Sequence, residues 1–156
     1  MLRTPAPLAG ALGRIVNTSR RDNMEYLIGF AAAVGVGLFA TVIGFDKDRS
    51  FYPVVLIVIA TLYLLFAAVA GSTDSFVAES IPALVFVAMA ALGFRKTPWL
   101  VVAGLALHGV FDFFHHAVIA NPGVPVWWPG WCLAYDVAAA AYLAALIVIR
   151  TPSRAA

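Results

Sequence analysis

The sequence is short of charge. Asp, Glu, Lys and Arg make up 12% of its 156 residues, about half the share of a soluble domain. Apolar residues make up 63%, and the mean hydropathy is +0.93. That balance excludes a soluble globular fold, because too few polar side chains exist to cover one. No strong excess of basic charge is present either. The net charge is +2, and its ten basic residues stand near the ends of apolar segments, the orienting pattern of membrane proteins and no footprint of nucleic-acid binding. Cys132 is the lone cysteine, so an intramolecular disulfide and a thiolate-rich metal site are both excluded. Long polar segments are absent too, which leaves one domain whose activity must be built between helices. The first 23 residues lack a signal-peptide apolar core, and Arg20-Arg21 lacks the apolar stretch of a twin-arginine signal, so no cleavable targeting segment is read.

What is present are five apolar stretches of about 20 residues, each long enough to cross a hydrocarbon layer of roughly 30 Å as a helix. They run over residues 24–45, 51–71, 76–94, 99–120 and 131–150. The expected fold is therefore all-α, an integral membrane bundle of five transmembrane helices whose surrounding partner is the lipid bilayer. Polar breaks separate the stretches: Asp46-Lys47-Asp48-Arg49, Ser72-Thr73-Asp74-Ser75, Arg95-Lys96-Thr97-Pro98, and the longer 121–130 segment with its three prolines. Connections this short predict antiparallel neighbours. Trp99, Trp127, Trp128 and Trp131 all fall at span ends, where amphipathic rings prefer the headgroup zone. Glu79 and Pro82 interrupt the first turns of the third span, so a re-entrant start is one alternative there.

Lysine and arginine set the orientation. Lys47, Arg49, Arg95, Lys96, Arg150 and Arg154 fall on one side, and the 72–75 and 121–130 loops carry none. In a bacterial inner membrane this puts the amino terminus outside and the carboxy terminus, with its 151–156 tail, in the cytoplasm. The basic leader of residues 1–23, with Arg3, Arg14, Arg20 and Arg21, opposes that scheme. One resolution makes Met24 the natural start. The others are a basic tail with inverted topology, or a tail that translocates despite its charge.

The first span repeats small residues at four-residue spacing, Gly29, Ala33, Gly37 and Thr41, a stripe that lets helix backbones approach closely. It suits packing within the chain, or a homo-oligomer formed through the Gly29/Ala33/Gly37 face.

Chemistry concentrates on the fourth span. His108, Asp112, His115 and His116 fall within an arc of roughly 100° on one helix face at about 100° per residue. An aspartate near the centre of a span costs roughly 2.5 to 3.5 kcal/mol on insertion scales, so Asp112 requires a partner. If the antiparallel order holds, Glu79 and Asp136 reach a similar depth from the third and fifth spans. Cys132 lies one turn above Asp136, and Glu25 and Tyr63 extend the column. Pro82 cannot donate to the carbonyl of Ala78, which leaves that oxygen beside Glu79 as a further ligand. Imidazole with carboxylate suits zinc, or another divalent metal such as manganese or iron. The expected metal ligands are His108, Asp112, His115 and His116. Glu79 and Asp136 are the expected catalytic carboxylates, Glu79 as general base toward a metal-activated water. No haem is expected, because all three histidines lie on one helix and axial ligands must oppose each other across the ring.

The strings His108-Gly109-Val110-Phe111-Asp112, Asn121-Pro122-Gly123-Val124-Pro125, Trp127-Trp128-Pro129 and Cys132-Leu133-Ala134-Tyr135-Asp136 resemble a group of small bacterial multi-pass membrane proteins. Residues 44–49 and Phe51-Tyr52-Pro53 belong to the same pattern, and the leader falls outside it. The resemblance brings no activity with it. The use of histidines and an aspartate inside helices is similar to that of intramembrane metal hydrolases such as alkaline ceramidases, which have seven spans. Three functions therefore stand open: a metal-dependent hydrolase of a membrane-soluble substrate, a small transporter or proton and cation permeation protein, and an accessory membrane subunit without chemistry. Whether the chain is an enzyme stays undecided at this level. The 121–131 segment likewise has two readings, an aromatic lid over the column or an interfacial anchor.

Overall fold

A computed structural model describes residues 8–150, with side chains described from Met24 onward. The basic leader and the tail therefore lie outside the described side chains. Five α-helices and one short 3₁₀ turn account for the described chain: α1 Leu8–Ile43, the turn Phe45–Lys47, α2 Phe51–Val69, α3 Thr73–Arg95, α4 Trp99–Val118 and α5 Trp128–Arg150. Each helix contains a segment long and apolar enough to cross a membrane, that of α1 being Met24–Ile43. The fold is an all-α bundle of five such helices, with no strand among the described residues.

Local chemistry sets the helix ends. Gly44 closes α1 with φ of 89° and donates its N–H to Ala40 O at 2.8 Å; Gly71 ends α2 with φ of 67°. Both sit in the left-handed region that side-chain-bearing residues rarely adopt. Ser72 then caps α3, its hydroxyl accepting from Ser75 N at 3.3 Å, and so α3 starts three residues earlier than the apolar pattern alone indicates. Pro82 lies inside α3, which runs unbroken from Thr73 to Arg95, so the re-entrant alternative for this span is not what forms. α5 likewise begins early, at Trp128, because Pro129 falls in its first turn, where a missing N–H costs nothing.

Packing runs α1 on α5, α5 on α4, α4 on α3 and α3 on α2, with α2 also reaching α4. The main partner of α1 is thus the fifth helix, which runs parallel to it, and not an antiparallel sequence neighbour. The small-residue stripe explains the choice. A Cβ at Gly29 would lie 2.1 Å from Trp131 O, and one at Gly37 would lie 3.1 Å from the Tyr142 ring. Ala33 is buried between them, and Thr41 Oγ1 meets Tyr142 Oη at 2.9 Å. The stripe is therefore filled by α5 of the same chain. In lipid, helices associate through such close packing and hydrogen bonds, because burying apolar surface gains little there. Leu27, Phe30, Leu38, Phe39 and Val42, on the rest of α1, remain exposed.

One end of the bundle gathers residues 46–49, the α3–α4 turn and Arg150. At the other, Trp128 stacks on Trp131 with centroids 5.0 Å apart, Trp131 on Tyr135 at 5.4 Å, and Phe66 meets Trp128 edge-on at 5.0 Å. These rings form one aromatic cluster at that end of the bundle.

Candidate metal centre

Charged and polar side chains are few in this chain, and most of those inside the bundle meet in one place. His108, on the face of α4 that looks toward α5, places Nδ1 2.6 Å from Asp136 Oδ2 and 3.3 Å from Asp112 Oδ2. Only the contact to Asp136 has hydrogen-bond geometry, so Asp112 Oδ2 stays without a donor. The other oxygen of Asp112 accepts from Tyr63 Oη at 2.6 Å, which fixes the carboxylate from α2. Cys132, one turn before Asp136 on α5, holds its thiol 4.0 Å from Asp136 Oδ2. A nitrogen from His108, an oxygen each from Asp112 and Asp136, and the Cys132 sulfur all lie within 4.8 Å of one another. None of these four residues is more than 1% exposed.

Gly109 is what lets α5 come so near. A Cβ there would touch Leu133, Val137 and Asp136 at 3.3 to 3.5 Å, so the residue after His108 is small where the two helices must approach. Phe86, Phe111 and Tyr63 surround the imidazole with ring centroids 4.7, 6.0 and 6.2 Å away. Such a shell lowers the local dielectric and strengthens every charge interaction within it.

A second polar group lies beside the first. Glu79 Oε1 stands 2.8 Å from His115 Nε2 and accepts from Asn121 Nδ2 at 2.9 Å. Asn121 also donates to the backbone oxygen of Tyr63 at 3.1 Å and, through Oδ1, accepts from Gly123 N, so it ties the α4–α5 connection to α2 and α3 together. The two groups meet at Tyr63. Its ring stacks on His115 at 4.0 Å and 14°, and its hydroxyl reaches Asp112. Asn121, Glu79, His115, Tyr63, Asp112, His108 and Asp136 thus run as a row from the loop to the bundle interior, hydrogen-bonded except where His115 stacks on Tyr63 and where Asp112 faces His108 at 3.3 Å.

No family model matches the chain, and no curated protein or solved structure shows significant similarity to it.

The single arc expected on α4 is therefore divided. His108 and Asp112 join Asp136 and Cys132, whereas His115 turns to Glu79, one tyrosine ring away. His116 is in neither group: it is exposed, meeting only the edge of His115 at 5.5 Å. The reason is angular, since position 116 lies at the margin of the arc, past the line where α4 leaves its neighbours. Glu25 also lies apart, close to Gly130 and the aromatic cluster, where a Cβ on Gly130 would stand 2.2 Å from its carboxylate. Asn121 was not among the expected site residues. Its signal was its place just after the fourth span, at the depth of Glu79, but Asn before Pro-Gly reads first as turn chemistry.

Several buried atoms in these groups lack a partner: His108 Nε2, Asp112 Oδ2, Asp136 Oδ1, Glu79 Oε2 and His115 Nδ1. Unpaired carboxylate oxygens in an apolar interior are costly, and more so with two carboxylates around one imidazole. A divalent cation on the His108, Asp112 and Asp136 atoms would neutralise that excess of negative charge. Tetrahedral zinc with bonds of about 2.0 to 2.3 Å would set its ligand atoms roughly 3.3 to 3.8 Å apart, within reach of a group already this close. Tyr63, by holding Asp112, is the outer hydrogen bond such a centre needs.

Proposed function

We propose that the chain is a membrane metalloprotein, a hydrolase whose divalent ion, zinc by ligand chemistry, is held by His108, Asp112 and Asp136. The observation that carries this reading is the convergence of buried ligand atoms from two helices, α4 and α5, within 4.8 Å of one another. Cys132 completes the group with its thiol directed at Asp136, 4.0 Å away, and with the thiol left on Asp136 a water would have room beside the three ligands. An ion held by His108, Asp112 and Asp136 would supply Lewis-acid activation of a water as the nucleophile. Glu79 and His115 are the acid–base pair. Each keeps one unpartnered atom, Oε2 and Nδ1, through which the pair would take a proton from the water and pass it to the leaving oxygen or nitrogen. The substrate is an ester or amide soluble in the membrane, because the ligands lie among apolar helices that face lipid.

A second reading, proton or cation passage, is favoured by the row of buried polar side chains from Asn121 to Asp136. The two are told apart by metal and by turnover. Protein purified in mild detergent without an affinity tag should carry one metal per chain by mass spectrometry, and Glu79→Gln should keep the metal while hydrolysis of short-chain lipid esters falls by about 10² to 10⁴. Cys132→Ser should keep it as well. Metal lost in Cys132→Ser would make the centre a closed structural site and end the hydrolase reading. Metal-free folded protein with proton flux in vesicles would put passage in its place.

A further inference from the structure

The opposite end of the bundle contains a cavity of about 410 Å³ that the metal reading does not use. Its charged rim comes from Asp46, Lys47, Asp48, Arg49 and Arg150, and its wall from Tyr52, Pro53, Val101, Leu143, Leu146 and Ile147. Three cationic side chains against two anionic ones leave one positive charge in excess. Arg150 is committed: Nη2 lies 2.9 Å from Asp46 Oδ2, and Nη1 donates to Asp46 O at 2.9 Å. Thr41 Oγ1 donates to the same Oδ2 at 2.6 Å. Asp48 is engaged by Ser50, whose hydroxyl and amide both donate to Oδ1, at 2.5 and 2.8 Å, and hold its carboxyl below the ordinary value. Lys47 and Arg49 are exposed at the mouth.

Two residues that line this cavity each keep a buried polar atom without a partner. Tyr52 is 6% exposed and its hydroxyl bonds to nothing in the protein; Asp46 is 7% exposed and its Oδ1 is likewise unpaired. One needs an acceptor, the other a donor. A buried tyrosine hydroxyl ordinarily finds such a partner. A phosphodiester bearing a hydroxyl supplies both at once, and α2 starts at this cavity, so the positive end of its dipole favours the same anion.

We propose that this cavity binds one anionic phospholipid whose headgroup carries a hydroxyl, of the phosphatidylglycerol class. The phosphate oxygens accept from Lys47, Arg49 and Tyr52 Oη. The headgroup hydroxyl donates to Asp46 Oδ1. An acyl chain lies along Val101, Leu143, Leu146 and Ile147. The single negative charge of such a lipid matches the single positive excess of the rim, which a zwitterionic headgroup leaves unbalanced. The apolar wall distinguishes a lipid from a free phosphate ester, which would leave most of the cavity unfilled.

The full chain, delipidated in mild detergent, is to be titrated with short-chain phosphatidylglycerol, short-chain phosphatidylcholine and glycerol 3-phosphate, following thermal unfolding and, by native mass spectrometry, stoichiometry. Phosphatidylglycerol should bind one to one and raise the unfolding midpoint; the other two should not. Tyr52→Phe should leave the lipid-free midpoint unchanged or raise it, since the lost hydroxyl has no protein partner, and weaken phosphatidylglycerol by about tenfold, the size of one hydrogen bond to a charged group. Lys47→Ala with Arg49→Ala should weaken it further. Equal stabilisation by phosphatidylcholine, full effect from glycerol 3-phosphate, or unchanged binding in Tyr52→Phe would each overturn the proposal.

Discussion

Replacing Asp136 by asparagine gives opposite signs under the metal and metal-free descriptions of the centre. Asparagine keeps the shape of the side chain and an oxygen to accept from His108 Nδ1, at present 2.6 Å away; it removes one negative charge. Without a metal, that charge is a liability. Asp136 shares a sealed apolar interior with Asp112, and one of its oxygens has no donor, so Asp136→Asn should be neutral or should stabilise the protein. With a metal, the same carboxylate is a ligand. Structural zinc sites are worth about 10 to 16 kcal/mol in all, so the loss of one anionic ligand among three or four should cost at least 2 to 3 kcal/mol, roughly a hundredfold in affinity. The assay is thermal unfolding of chelator-stripped protein, with and without zinc buffered near 100 times its dissociation constant. Wild-type protein should gain about 2.7 kcal/mol from the ion, close to 8 °C on a scale of roughly 3 °C per kcal/mol. At the same zinc activity Asp136→Asn should gain almost nothing. A wild-type midpoint indifferent to zinc, manganese and iron, together with an Asp136→Asn midpoint above it, would refute the metal argument and leave the pair as a buried ionic contact.

Two further substitutions test the support around the centre. Tyr63→Phe removes the 2.6 Å hydrogen bond to Asp112 but keeps the ring that stacks on His115; zinc affinity, read by competition with a chromogenic chelator, should fall by about 10- to 100-fold while the helical circular dichroism is kept. Gly29→Leu drives a side chain into the Trp131 backbone oxygen, which has no room to yield at 2.1 Å from a Cβ, and should lower the unfolding midpoint by several degrees, whereas Gly35→Leu, with nothing within 4 Å of its Cβ position, should leave it unchanged.

The helices were legible because membrane solvation imposes a simple code: length and apolarity alone mark Met24–Ile43 and its four successors. Their ends were less so. The start of α3 depends on Ser72 as a cap and that of α5 on Pro129, local polar chemistry that an apolar count passes over. Which helix packs on which was not legible from loop length. Short loops make successive helices antiparallel, yet α1 takes its main contact from α5, because Gly29 and Gly37 leave room for the Trp131 backbone and the Tyr142 ring. The stripe was visible in the sequence; its partner was not, since small residues state that something approaches without stating what.

The centre follows the same division. Spacing on α4 put His108, Asp112, His115 and His116 on one face, but an arc of roughly 100° is wide enough to look toward two neighbours and past them. Where the arc faces α5 it meets Asp136 and Cys132, where it faces α3 it meets Glu79, and at its margin His116 is exposed. Periodicity assigns a direction within about one residue's turn; only the positions of α3 and α5 decide which direction has a partner. The lone cysteine shows the same limit from the other side. Scarcity rightly excluded a thiolate-rich site, yet a single sulfur one turn before Asp136 on α5 still arrives 4.0 Å from its carboxylate, because i and i+4 on a helix share a face whatever the rest of the chain contains. Composition limits how many ligands of a kind a site can have, and helix geometry settles whether the one available reaches it.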